Sequence, residues 1–495
     1  MFVNDLFANG KDDGCKGSHG CSGTVWDLIP ELRETMFQHQ QEAFEFMWRN
    51  LAGGIHINEL KSCVGSDGTG GCVISHAPGT GKTRLAICFI QSYMKVFPEC
   101  RPVIVAHCGL MQTWKNEFKK WGVNLSIHDL NASKYSGQED GMVLKLASKE
   151  HNQDMTLMRL VKLYSWGKGN SVILVSYSLF ATIYCSDKDL RCSMLKKILL
   201  EKPGLIIFDE GHTPRNERSL IWKALEKIKT SKRVILSGTP FQNNFLELYT
   251  TLCLVRPKFA DKISARTSKL CQTKREEFFA TKEEMFPERK EAKYKWVYLT
   301  KSVTGYSKEL EEVKTIIKPF VHVHSGRILD TLPGSRKCII ELNPFPQQKS
   351  FLELIKDIKS SSALDNDYRN SLLSIHPSLA MVFLSEKEKS LIDTPMLEKL
   401  RINPYEGVKT KFVIELIRLC EALKEKVLVF CQYIEPLEMI KDQLVKLFEW
   451  TEGKEVLKIN VKIPTKNRQS VIDVFNELTS EARIVWHQQK HVLKK

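Results

Sequence analysis

The chain has 495 residues, 42% of them hydrophobic and 26% charged, which is enough to bury a sizeable core in two or three domains. Its apolar runs stay short of the roughly 18 to 20 residues a membrane helix needs, and its 14 cysteines are scattered, several inside apolar segments, so neither a membrane span nor a disulfide framework is expected. A net charge of +15 and a pI near 9.1 favour an acidic partner, of which nucleic acid is the commonest.

Residues 1–24 are rich in Gly, Asp, Lys and Ser and read as a flexible tail. Cys15, His19, Cys21, Cys63 and Cys72 do not form a CxxC pair and their spacings fit no common zinc finger. From Phe37 to Leu51, Phe37, Gln40/Gln41, Phe44, Met47/Trp48 and Leu51 fall on one helical stripe. Gln40 stands shortly ahead of a Gly-rich loop, where a glutamine can pair its donor and acceptor with an adenine edge; a surface glutamine is the alternative.

The stretch VISHAPGTGKT, Val73 to Thr83, combines a buried strand, a tight turn and the start of a helix. Such a loop aims backbone N–H groups of Gly79, Thr80 and Gly81 at phosphates, while Lys82 reaches the outer phosphates and Thr83 holds Mg²⁺. A nucleoside triphosphate is the expected ligand. The strict pattern wants Gly where this chain has His76, but the parts that touch phosphate are kept.

Buried strands and helices then alternate: Pro102–Ala106, a helix Met111–Trp121, SVILVSYSLF (171–180), GLIIFDEGH (204–212), a helix SLIWKALEKI, and RVILSGTP (233–240). Alternation of this kind means a doubly wound parallel sheet with ligands at the strand C-termini. Asp209 and Glu210 end one strand, where an Asp can reach Mg²⁺ and the next Glu can orient or deprotonate water. His212 and the Ser237-Gly238-Thr239-Pro240 turn lie at matching strand ends and can sense the γ-phosphate.

In this order and separation, SHAPGTGKT, FDEGHTPRN and LSGTPFQNNFLELY resemble the Swi/Snf-type DNA-translocating ATPases of helicase superfamily two. Within that group HQQEAFEFMWRNLAG, VWDLIPEL and KPFVHVHSGRILDTLPG resemble the plant CLASSY proteins, from about Val25 to about Asn476. The resemblance implies ATP and Mg²⁺ as cofactors. It makes Gln40 the adenine reader, Gly79, Gly81, Lys82 and Thr83 the phosphate loop, and Asp209 and Glu210 the Mg²⁺ and water carboxylates. Gly238, Thr239, Gln242 and Asn243 become the coupling motif. It further implies duplex DNA or chromatin and a plant-specific RNA polymerase complex as partners, a nuclear location, and a role in RNA-directed DNA methylation. A strand-separating helicase and a non-enzymatic interaction scaffold are the alternatives.

Lys258 to Ser307 is charged with little strand signal, fitting helical protrusions or a mobile insertion, with a solvated linker the alternative over Lys262 to Lys295. Where typical relatives carry paired arginines, residues 321–325 read VHVHS. The second lobe should begin near Lys409 with an amphipathic helix, a strand Lys426–Tyr433 and another helix. The expected domains are a tail (1–24), a RecA-like lobe one (25–258), an inter-lobe helical and charged region (259–400) and an incomplete RecA-like lobe two (401–495). The sequence diverges from the resemblance after Arg483, and the late lobe-two motifs, including an arginine that completes the ATP site, do not follow. Impaired hydrolysis is therefore expected, as is apolar surface without cover at Ile484, Val485 and Trp486.

Overall fold

The computed structural model describes residues 23–62, 69–148, 154–186, 189–238, 245–266, 287–301, 308–326, 337–356, 363–389, 393–459, 463, 465–477 and 479–488. The chain divides into two compact units, Met1–Gly334 and Ser335–Lys495, each with its own core.

Unit one is built on seven strands: β1 (Cys72–His76), β2 (Pro102–Ala106), β3 (Ser126–Asp129), β4 (Ser171–Ser176), β5 (Leu205–Asp209), β6 (Arg233–Ser237) and β7 (Val321–His324). All pair in parallel, in the order β3-β4-β2-β5-β6-β1-β7. Strands with both faces covered read as unbroken apolar runs, and alternate residues supply two cores. Val103, Val105, Ile206 and Phe208 pack on one side, and Ile104, Ile207, Leu236 and Leu174 on the other. The register sets Ser75 beside Ser237 and Asp209 beside Leu236, so the C-terminal ends of β1, β6 and β5 lie side by side.

Four helices matter for the site: α1 (Gln38–Ala52), α2 (Lys82–Val96), α3 (Met111–Lys120) and α4 (Met155–Lys168). One expected strand is shorter than its apolar run suggests. SVILVSYSLF is strand only to Ser176, whose hydroxyl accepts from the Leu179 N–H and caps the helix Tyr177–Cys185. An apolar run without polar alternation does not distinguish the end of a buried strand from the start of a buried helix.

The charged region after Pro257 is partly integral to unit one. Within it α5 (Pro287–Lys301) lays the fully buried Trp296 against Tyr249 and Phe259, with its indole N–H donating to the Phe245 carbonyl at 2.7 Å. The VHVHS segment then forms edge strand β7 beside β1, where Val73 pairs with Val321.

In unit two β8 (Val427–Cys431), β9 (Val456–Ile459) and β10 (Ile484–Gln488) form a parallel sheet ordered β8-β10-β9. The divergent C-terminal stretch thus supplies the central strand. Ile484, Val485 and Trp486 are buried at 0%, 2% and 1% exposure, which overturns the expectation that they lack cover. Within this sheet, exposed apolar side chains stand on the edge strand β8, at Leu428 and Phe430, 50% and 57% exposed.

Trp296→Ala should lower the stability of unit one by about 3–5 kcal/mol, the usual cost of emptying a buried aromatic site. Denaturant unfolding followed in a fragment ending after β7 would read this; an unchanged midpoint would mean that α5 is not part of the core.

Candidate functional site

The turn after β1 is shaped by its glycines. Gly81 has φ +81°, in the left-handed region, and a Cβ there would stand 2.2 Å from the Gln40 Nε2. Gln40, on the first turn of α1, is buried and clasps the loop: its amide donates to the Thr80 carbonyl at 3.1 Å and accepts from the Phe37 N–H at 3.1 Å. One amide N–H and one lone pair remain, the pair an adenine edge requires. His39 touches the same Thr80 carbonyl at 3.0 Å. Thr80 closes the turn through its hydroxyl to the Ala77 carbonyl at 2.7 Å.

Lys82 opens α2 and folds back so that Nζ donates to the carbonyls of His76 (2.9 Å) and Ala77 (3.2 Å). Burial pulls its ammonium below the ordinary lysine value, against the pull of Glu210 and Asp209. These carbonyls at the end of β1 occupy the ammonium donors that an anion at the helix start would take.

Asp209 ends β5 almost wholly buried, at 7% exposure. Its Oδ2 accepts from the Trp114 indole at 2.8 Å, its Oδ1 from the Glu210 N–H at 3.0 Å, and its carbonyl from the Tyr177 hydroxyl at 2.8 Å. Burial nevertheless holds the carboxyl above its ordinary value, so the charged form lacks compensation. A divalent cation would supply it, and Thr83 and Asp209, which line the same cavity, are the residues that could hold one. Glu210 has φ +49°, unusual for a residue with a side chain, and its carboxylate lies 3.3 Å from His212 Nδ1. The His212 ring beside it, assisted by Lys82, keeps Glu210 below its ordinary value.

Gln40, Gly79, Thr80, Gly81, Lys82 and Thr83 line one cavity of about 640 Å³ together with Asp209 and Glu210. Gly238 stands against Pro78 of the loop, where a Cβ would come within 3.1 Å of the proline ring. Thr239, Gln242 and Asn243 lie outside the described residues. His212 is beside Glu210. Trp114 and Tyr177, which fix Asp209, escaped the sequence reading because each looks like an ordinary core aromatic, Trp114 on a helix and Tyr177 in an apolar run read as strand. The VHVHS histidines meet the loop: His322 Nδ1 lies 2.8 Å from His76 Nε2, and His324 stacks on His39 with centroids 4.2 Å apart. Burial, with His322 next in effect, holds His76 to about 3, neutral at neutral pH.

A family description, the SNF2-related domain, matches residues 39–389, and a second, the helicase conserved C-terminal domain, matches residues 408–486. The chain belongs to the SNF2-related family. Among its relatives it is 42% identical to the SNF2 domain-containing protein CLASSY 3 of Arabidopsis thaliana, over 96% of this chain and 34% of that protein. It is likewise 42% identical to CLASSY 4 of the same plant, over 94% and 39%. The chain thus spans little more than a third of these relatives. A solved Sulfolobus solfataricus SWI2/SNF2 ATPase core in complex with dsDNA overlaps 91% of this chain and 77% of that one, at 18% identity and a TM-score of 0.38. As an SNF2-related chain it carries the family's α/β lobe with a seven-stranded parallel sheet and a smaller parallel second lobe. Among the described residues no helix is long and apolar enough to cross a membrane.

The raised carboxyl of Asp209 has a sign that can be tested. A carboxyl raised in the folded state contributes stability below its unfolded value, near 3.8, and loses it as pH rises through the folded value. Asp209→Asn keeps an oxygen for Trp114 and removes the charge. Relative to the parent without nucleotide, its thermal midpoint should improve as pH rises from about 3.8 through the folded value and then level off, at roughly 2–4 °C per kcal/mol. Its stabilisation by ATP and Mg²⁺ should be lost. A difference independent of pH would contradict the burial argument.

Proposed function

We propose that unit one binds ATP with Mg²⁺ and that the chain is a Swi/Snf-type chromatin protein acting as CLASSY proteins do. The observation that carries the nucleotide reading is the meeting of Gln40, the 79–83 loop, Asp209 and Glu210 around one cavity. In this reading the N–H groups of Gly79, Thr80 and Gly81 and the Lys82 ammonium bind the phosphates. Thr83 and Asp209 would hold Mg²⁺, which when bound offsets charge on the phosphates. Glu210, ionised beside His212, orients the attacking water and can take its proton. Gln40 reads adenine, and His212, Gly238, Thr239, Gln242 and Asn243 relay the state of the γ-phosphate.

Similarity to CLASSY 3 and CLASSY 4 supports the wider role: nuclear location, RNA-directed DNA methylation through small interfering RNA, and recruitment of a plant-specific RNA polymerase. The +15 charge supports sequence-independent contact with duplex DNA, with affinity falling steeply as salt rises. For the polypeptide of residues 1–495 we expect binding and turnover to separate. Ground-state partners for ATP are present on unit one, whereas rate depends on charge stabilisation made only in the transition state. In related phosphoryl transfer the loss of an arginine at that step costs about 10³ to 10⁵ in rate.

Isothermal titration should show ATP–Mg²⁺ binding that Lys82→Ala weakens at least tenfold, and hydrolysis near background with or without duplex. Hydrolysis strongly stimulated by duplex and abolished by Glu210→Gln would refute the separation, and Arg483 would be the first residue to test for the missing charge. Loss of nucleotide binding altogether would favour an interaction scaffold, and unwinding of a labelled duplex a strand-separating helicase.

A further inference from the structure

A second cavity, of about 380 Å³, opens on the other side of α3 from the nucleotide site. Thr113, Trp114, Glu117 and Trp121 line the nucleotide cavity, while Gln112, Lys115, Phe118 and Lys119 of the same stretch line this one. Its remaining wall comes from residues 123–125 between α3 and β3, the edge strand β3, the loop that follows and α4. Four lysines, Lys115, Lys119, Lys134 and Lys162, stand on its lining against one carboxylate, Asp129.

That carboxylate is already engaged. Asp129 Oδ2 accepts from Lys115 at 2.6 Å and Oδ1 from the Asn131 N–H at 2.9 Å. The nearby Glu139 is engaged as well, by the Ser136 N–H and hydroxyl and by the Gly137 N–H. Lys162 is 1% exposed, and its ammonium donates to the carbonyls of Asp129 (2.8 Å) and Ala132 (2.7 Å). An ammonium has three N–H donors, so one remains beyond these two bonds, on a cation withdrawn from water and facing a cavity. Lys119 and Lys134 are exposed at the rim, and Phe118 and Val123 lie buried beneath.

We propose that this cavity binds a compact polyphosphate, a small soluble molecule carrying three or four negative charges on adjacent phosphoryl groups. The volume falls at the small end of ordinary ligand sites, about 300–1,000 Å³. A concave pocket of that size takes a few phosphoryl groups and not a duplex, whose backbone needs an open track. Lys162 supplies the buried anchor, and Lys119 and Lys134 close on the charge from the rim. The site is separate from the nucleotide site because α3 stands between them.

Tripolyphosphate, titrated calorimetrically into the 495-residue chain without divalent metal, tests this. The parent should show two sites and Lys82→Ala one. Lys119→Glu with Lys134→Glu should lose the second site, weakening it at least tenfold, while its circular dichroism and thermal midpoint match the parent because both positions are exposed. Affinity for the site that survives Lys82→Ala should fall with added salt. If Lys82→Ala abolishes all binding, or the double reversal leaves the second site intact, the proposal is wrong. It is also wrong if tripolyphosphate binds nowhere while the double reversal weakens duplex DNA binding, since the lysines then serve the duplex.

Discussion

A carboxylate taken out of water at the end of β5 is the constraint that orders unit one. Asp209 is nearly inaccessible, and burying an ion without compensation is unfavourable. The fold therefore gives the carboxylate two donors, the Trp114 indole on α3 and the Glu210 N–H, while the Tyr177 hydroxyl fixes the strand-end carbonyl. These donors set its orientation but leave its charge incompletely offset, and this is the state in which a carboxylate gains most from a cation.

The parallel sheet makes that carboxylate useful. β6 lies between β5 and β1, so the turns after the three strands come together: Asp209 and Glu210 from one, Gly238 from the next, and the glycine loop from the third. A Cβ on Gly238 would crowd the Pro78 ring, and one on Gly81 would strike the Gln40 amide on the other side of the loop. The loop is thus held from both flanks while Lys82 remains on weak carbonyl partners that stronger anionic acceptors can replace. Beyond β1 the edge is closed by β7, whose His322 and His324 reach His76 and His39. The strand formed by the VHVHS segment is in this way tied to the same loop.

Much of this was legible in the chain itself. Glycines at fixed spacing before Lys82-Thr83 marked a tight turn between a strand and a helix, and Asp209-Glu210 after an apolar run marked the end of a parallel strand. The strands β2, β5 and β6 showed as unbroken apolar runs because helices cover both their faces. Local pattern failed where one rule served two elements, as at Ser176, where a strand passes directly into a helix, and in the C-terminal stretch, whose apolar residues looked uncovered until β10 was seen between β8 and β9.

The class of fold, the glycine loop after β1 and the paired carboxylates after β5 are each written in residues adjacent along the chain. Tertiary structure alone decided which aromatics orient Asp209, that Gln40 clasps the loop, that residues 287–301 and 321–324 belong to unit one, and that lysines from α3, α4 and the loop after β3 share a cavity. The physical reason is separation. Trp114 and Asp209 are 95 residues apart and His76 and His322 are 246 apart, and no periodicity within a segment records which distant side chain will complete its hydrogen bond.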